Sequence, residues 1–208
     1  MRVKILIPIA VFVLSGSLSC DLFKTRDPMQ PSGSQFPCLT LSTPDNVVTN
    51  ILQAYGYPDG LGCYVSTLAD FVSTSDPGFR FHPDPTDSLE ASGGQFNTPW
   101  TKTIEERVAE NIANSARKDS FRVTLKLPYE SITSQTDLEI RKYAYEIRFN
   151  DKVPSPSLTD SLFQGTAEIS IRRAGGEWQI TDWVDRRDPN GTTTRTWGYL
   201  RAAYRVGF

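Results

Sequence analysis

The chain has 208 residues, 38% of them hydrophobic and 22% charged, which is enough apolar material for one packed domain and too little length for a second large one. A formal charge of −2, with no Lys/Arg run interleaved with aromatics, removes the electrostatic footprint of nucleic-acid binding. One His, and three Cys without C-x-x-C or H-E-x-x-H spacing, give no recognisable metal site, and no cofactor is expected.

Arg2 and Lys4 precede an apolar run from Ile5 to Leu14, and small residues lead on to Leu18-Ser19-Cys20. This is the layout of a secretory signal peptide, since about ten apolar residues fall short of the roughly 18–20 that span a bilayer. Leu18-Ser19-Cys20 resembles the bacterial lipobox, which implies removal of residues 1–19 and lipidation of Cys20; an ordinary signal peptide that happens to contain a Cys is the alternative. Acyl chains at about 0.8 kcal/mol per buried CH₂ would hold the protein on a membrane, with the rest of the chain on the extracytoplasmic face of a bacterial envelope. Asp21 resembles an inner-membrane retention signal, but that rule differs between phyla and leaves inner or outer membrane open. Residues 20–37, broken by Pro28, Pro31, Gly33 and Pro37, read as lipidated Cys and flexible tether, and 38–208 as the folded domain.

With Cys20 lipidated, Cys38 and Cys63 remain. In an oxidising compartment their simplest outcome is a disulfide, closing a loop of about 26 residues for roughly 3 kcal/mol; two inert buried thiols are the alternative, and no motif supplies a base to make Cys63 a nucleophile.

Thr43-Pro44-Asp45 offers an N-cap, a first-turn Pro and an acid, and Val47, Val48, Ile51, Leu52 and Tyr55 recur at helical spacing until Gly56 and Pro58. Leu61, Tyr64, Val65 and Leu68 form a second short stripe. Phe71-Val72 and Phe79-Arg80-Phe81 read as paired short strands, residues 82–99 as a long polar loop, and Thr103 with Glu106 as a capping box for a third helix through Ile104, Val108 and Ile112 to about Ser115. From Ser120 the period becomes two: Phe121 to Leu127, Tyr143 to Phe149 and Phe163 to Ile171 read as half-buried strands, with a bulge or bend at Gly165. Gly175-Gly176 turns the last hairpin into Trp178-Gln179-Ile180, and the change of parity between Ile180 and Trp183 predicts a bulge. The result is an α+β domain, a strongly curved antiparallel sheet packed on about three N-terminal helices.

Thr43-Pro44-Asp45-Asn46-Val47, Leu68-Ala69-Asp70-Phe71, the run from Glu177 to Asp185 and Trp197-Gly198-Tyr199-Leu200, taken with the order of elements, resemble the nuclear transport factor 2-like (NTF2-like) superfamily with its cystatin-like cone fold, and its bacterial lipoproteins in particular. The resemblance covers roughly residues 40–205 and implies a cone of sheet with a pocket at its open end. Members include isomerases, dehydratases, ligand binders and proteins without known activity, so fold does not choose function.

A proton-transfer enzyme in such a pocket needs a carboxylate or a His–Asp pair. The candidates are Asp182, Asp185, His82 and Tyr145, each with a plainer reading: the acids as solvated strand-end groups, His82 as a turn residue between prolines, Tyr145 as core. Phe121, Tyr143 and Tyr145 are candidates to line an apolar pocket, Trp178 to anchor the core, and Trp100, at the edge of the polar loop, to stack on a ligand as an exposed ring. These readings favour a non-catalytic, membrane-anchored module binding a small apolar ligand or an envelope protein, possible as a homodimer through its sheet. The alternative is an isomerase or dehydratase using Asp185 as acid with Tyr145 as donor. A surface module for larger assemblies is favoured if the cone is plugged by its own aromatics.

Overall fold

The computed structural model divides the chain into Met1–Gln35 and Phe36–Phe208, and describes residues 38–205 apart from 57–59, 91–93, 116–120, 127–128, 150–160 and 194. Cys20, the signal peptide and the tether lie outside the described residues.

Helix α1 (Pro44–Gly56) starts where Thr43 Oγ1 accepts the Asn46 backbone N–H, and its stripe buries Val47, Val48 and Ile51. Helix α2 (Leu61–Thr67) buries Cys63 and Tyr64 beside it, and a Cys38–Cys63 disulfide ties the segment before α1 to α2. After a loop come β1 (Arg80–His82), the short helix α3 (Pro85–Glu90), β2 (Trp100–Thr101) and helix α4 (Lys102–Ser115). Strands β3 (Phe121–Leu125), β4 (Glu130–Ser134), β5 (Leu138–Phe149), β6 (Leu162–Ala174) and β7 (Glu177–Arg186) follow, and helix α5 (Trp197–Tyr204) ends the described chain.

The sheet runs β2-β1-β7-β6-β5-β3, with β4 also on β5. Alternation buries Tyr143, Tyr145, Ile147, Phe163, Ala167, Ile169 and Ile171 on one face, where the helices lie, and turns Lys142, Glu146 and Glu168 outward. The β6–β7 hairpin closes on Gly175 and Gly176, at φ of 61° and 94°, the left-handed pair that a two-residue turn requires. The expected bulge is present: Ser170 pairs with Asp182 and Ile171 with Ile180, so Thr181 is the extra residue and the inward parity passes from Ile180 to Trp183. The α+β class and the curved, unclosed sheet agree with the expectation.

Several local expectations fail. Phe71 and Val72 form no strand but stand 68% and 72% exposed in a loop; β1 instead pairs with β2 and, in parallel, with β7, so the sheet is not wholly antiparallel. A three-residue strand carries too little pattern to name a partner about 100 residues away. The polar stretch after His82 contains α3, begun by the Asp84 side chain accepting the Thr86 N–H, and His82 itself belongs to β1 rather than to a turn. Gly165 makes no bulge: it pairs in register with Tyr145, and a Cβ there would collide with the Tyr145 hydroxyl. Helix α5 was not anticipated, although Trp197, Leu200, Arg201 and Tyr204 recur at helical spacing; all four are buried against the sheet.

Candidate functional site

Under the sheet, β7 and β5 bring Asp185 and Tyr145 together. Both side chains are enclosed, at 0% and 1% exposure, and the Tyr145 hydroxyl donates to Asp185 Oδ1 at 2.7 Å. The first turn of α5 completes the arrangement: Trp197 N donates to the Tyr145 oxygen at 2.7 Å and Gly198 N to Asp185 Oδ2 at 2.6 Å. Burial pushes the Asp185 carboxyl up from 3.8 to about 6, partly offset by the Tyr145 hydrogen bond and the nearby Arg201 charge. The Tyr145 hydroxyl is also pushed up, by burial and then by the Asp185 charge. Thr196 caps α5 by accepting from Tyr199 N and donates to the buried Asp87 of α3. An acid and a hydroxyl stand on one inward face, as proton-transfer chemistry would require, but their hydrogen-bonding atoms seat a helix.

A further buried carboxylate joins this interior to the edge of the sheet. Glu105, fully buried on α4, accepts from Tyr64 at 2.5 Å, Trp100 Nε1 at 2.7 Å and Arg201 Nε at 2.9 Å. The Arg201 guanidinium lies over the rings of Phe81, Trp183 and Trp197, at 4.2, 4.4 and 4.8 Å from their centroids. Sequence reasoning missed both residues. Their signal was positional: Glu105 lies on the stripe of Val108 and Ile112, and Arg201 on that of Trp197 and Leu200, each a charge where the period asks for an apolar side chain.

At the sheet edge, β1, α3 and residues 96–100 frame a cleft of about 520 Å³. Phe81, Phe96 and Trp100 form its ring wall, with centroids 5.3 to 6.2 Å apart, and Pro83, Pro85 and Pro99 add flat apolar faces. The polar lining is Arg80, His82, Ser88 and Thr98, without a carboxylate. Trp100 is buried, at 2%, contrary to the exposed ring expected, because its indole N–H is held by Glu105 while β2 fixes its backbone; it nonetheless lines a cavity. His82 Nε2 lies 3.3 Å from Asp182 Oδ1, with both side chains about half exposed. That hydrogen bond holds the Asp182 carboxyl below its ordinary value.

The structure thus sorts the candidates into two places. Asp185 and Tyr145 share the interior; His82 and Asp182 share the outer edge, three residues along β7 but on the other face. Tyr143 is buried, its hydroxyl 3.3 Å from Arg141 and its ring beside Tyr129, and does not line the cleft. Phe121 lies in β3, and its side chain is outside the described residues, as is Cys20. Among the described residues no group of three His, Cys, Asp or Glu side chains is placed to hold a metal.

No family model matches the chain, and no curated protein matches it in sequence. Among solved structures it is similar to a protein of unknown function from Mycobacterium tuberculosis (10% identity, 77% of this chain and 82% of that one, TM-score 0.49). It is also similar to a protein of unknown function with a cystatin-like fold from Nostoc punctiforme (8% identity, 70% and 91%, TM-score 0.45) and to an NTF2-like protein of unknown function from Pseudomonas putida (12% identity, 73% and 89%, TM-score 0.49).

Proposed function

We propose that this protein is a lipid-anchored extracytoplasmic module of NTF2-like fold that binds a small ligand without transforming it, and that the binding place is the edge cleft rather than the interior of the cone. One observation carries the reading. The interior acid and tyrosine are occupied by α5 and enclosed with Trp183 and Trp197, whereas the edge offers about 520 Å³ lined by three rings and a few polar groups, within the usual size range of small-molecule sites. The membrane anchor rests on Arg2, Lys4, the apolar run and Leu18-Ser19-Cys20, and among the described residues no helix is long and apolar enough to cross a bilayer.

Native mass spectrometry of the full chain, wild type and Ser88→Trp, tests the binding reading. Ser88 is exposed on α3 and lines the cleft, so the large ring fills the cavity without entering the core. The expected result is an extra mass on the wild type that Ser88→Trp loses. A wild-type chain that emerges bare would sink this reading and favour a protein-binding surface. Fatty-acid analogue labelling of wild type and Cys20→Ala tests the anchor, and equal labelling of both would remove it.

The 3.3 Å contact of His82 with Asp182 supports a second reading, acid–base catalysis at the cleft mouth, since an imidazole oriented by a carboxylate can move protons near neutral pH. Under the binding reading His82→Ala retains the extra mass unaltered. Under the catalytic one, the small molecule retained by His82→Ala differs from that on the wild type, in mass for a dehydration and in chromatographic retention for an isomerisation, which leaves mass unchanged, because substrate accumulates where product did.

A further inference from the structure

We propose that the edge cleft selects a small aromatic anion, a planar ring system carrying one carboxylate or a comparable acidic group. This rests on the cleft being a ligand site and adds the chemistry of what enters it.

The ring half of the ligand is set by the half-buried Phe96 and the three prolines, with Phe81 and Trp100, each almost wholly buried, packed against Phe96. Trp100 contributes only its ring, because its sole donor is committed to Glu105. The anionic half follows from which charges remain open. Arg80 and His82, two residues apart on β1, lie on the same side of the strand, with Phe81 between them on the other. His82 Nε2 is held by Asp182, which leaves Nδ1 as the nitrogen able to reach a ligand.

Acids stand near the cleft, but each is engaged away from it. Asp84 accepts the backbone N–H of Thr86 and of Arg187; Asp87 and Glu90 each lie 3.0 Å from Arg187 Nη2, and Glu90 is also 3.1 Å from Arg195. Arg80 forms no ion pair among the described residues; Asp182, opposite it in register, lies near enough to feel its charge but is bonded to His82. The cleft therefore pairs a ring wall with a guanidinium fork that makes no direct ion pair among the described residues, and a fork of that shape matches the two oxygens of an acidic group. A neutral aromatic would leave Arg80 unused, and an aromatic cation would face it.

Isothermal titration of the full chain with 1-naphthoate, 1-naphthalenemethanol and 1-naphthylmethylammonium separates these cases, because the three probes share a ring system and differ in charge. Naphthoate is expected to bind about tenfold or more tighter than the alcohol, and Arg80→Gln to remove that margin while leaving the alcohol unchanged. Phe96→Ala, which removes a half-buried wall ring, is expected to weaken every probe that binds. Equal affinity for all three probes, still lost in Phe96→Ala, would overturn the anion selection while leaving the cleft as a ligand site. Preference for naphthoate that Arg80→Gln does not change would overturn the role of Arg80, and hence the inference. Failure of all three probes would overturn the cleft as a ligand site, and the proposed function with it.

Discussion

Asp182 and Asp185 sit three residues apart on one strand and belong to two different regions of the molecule. Asp185 is enclosed, accepts from a tyrosine and a helix N-terminus, and has its carboxyl raised by burial. Asp182 is about half exposed, meets a histidine, and has its carboxyl lowered by that contact. The interior region fastens α5 to the sheet; the edge region leaves Arg80, one nitrogen of His82 and a ring wall facing a cleft. Similar residue types thus hold the fold together in one place and stay available in the other, and solvent access makes the difference.

The contrast predicts that interior substitutions cost stability and that edge substitutions cost very little. The largest effect is expected from Trp197→Ala, which empties the space between Tyr145 and Trp183 and should cost about 3–5 kcal/mol, read as a lower urea midpoint. An unchanged midpoint would mean that α5 is not part of the core.

Asp185→Asn sharpens the contrast through pH. A carboxyl at 3.8 when unfolded and about 6 when folded favours the folded state below about pH 4, and that contribution is lost as pH rises through 6. The wild type should therefore lose about 2 kcal/mol relative to Asp185→Asn between pH 4 and pH 7, measured by paired denaturant curves. Parallel curves across that range would place Asp185 in contact with water.

Tyr145→Phe leaves Asp185 Oδ1 and the Trp197 N–H without their partner and should cost about 1–3 kcal/mol, with no change in naphthoate titration. A loss of affinity in this variant would merge the two regions into one site. The smallest effect belongs to the edge: Asp182→Asn should change stability by less than about 1 kcal/mol, because an ion pair between half-exposed groups gains little over its hydration. A larger loss in thermal melts would make the His82–Asp182 contact part of the fold.

The long elements were legible because their periods are long. Nine residues of β5, 141–149, and ten of β6, 162–171, alternate without interruption, and α1 carries a cap and a full stripe. The parity change before Trp183 was enough to locate the bulge. Strands β1 and β2, at three and two residues, are too short to show a period, and the strand expected at Phe71-Val72 stands exposed instead. At the site, Asp182, Asp185, His82, Tyr145 and Trp100 were noticed from their residue types, yet their pairing was not legible and Glu105 was missed. Trp100 was expected exposed because its neighbours in sequence are polar, whereas its neighbours in space are Phe81, Phe96 and Glu105.

The sequence by itself determined which residues face inward along each long element, because a side chain's direction repeats with the local backbone geometry. Only the tertiary structure decided what covers those faces: α5 over Asp185 and Tyr145, Arg201 beside Glu105, and β1 parallel to β7 so that His82 meets Asp182. The physical reason is distance along the chain. Periodicity is a local property, whereas these contacts join residues about 13 to 100 positions apart and form only when the whole sheet and its helices close on one another.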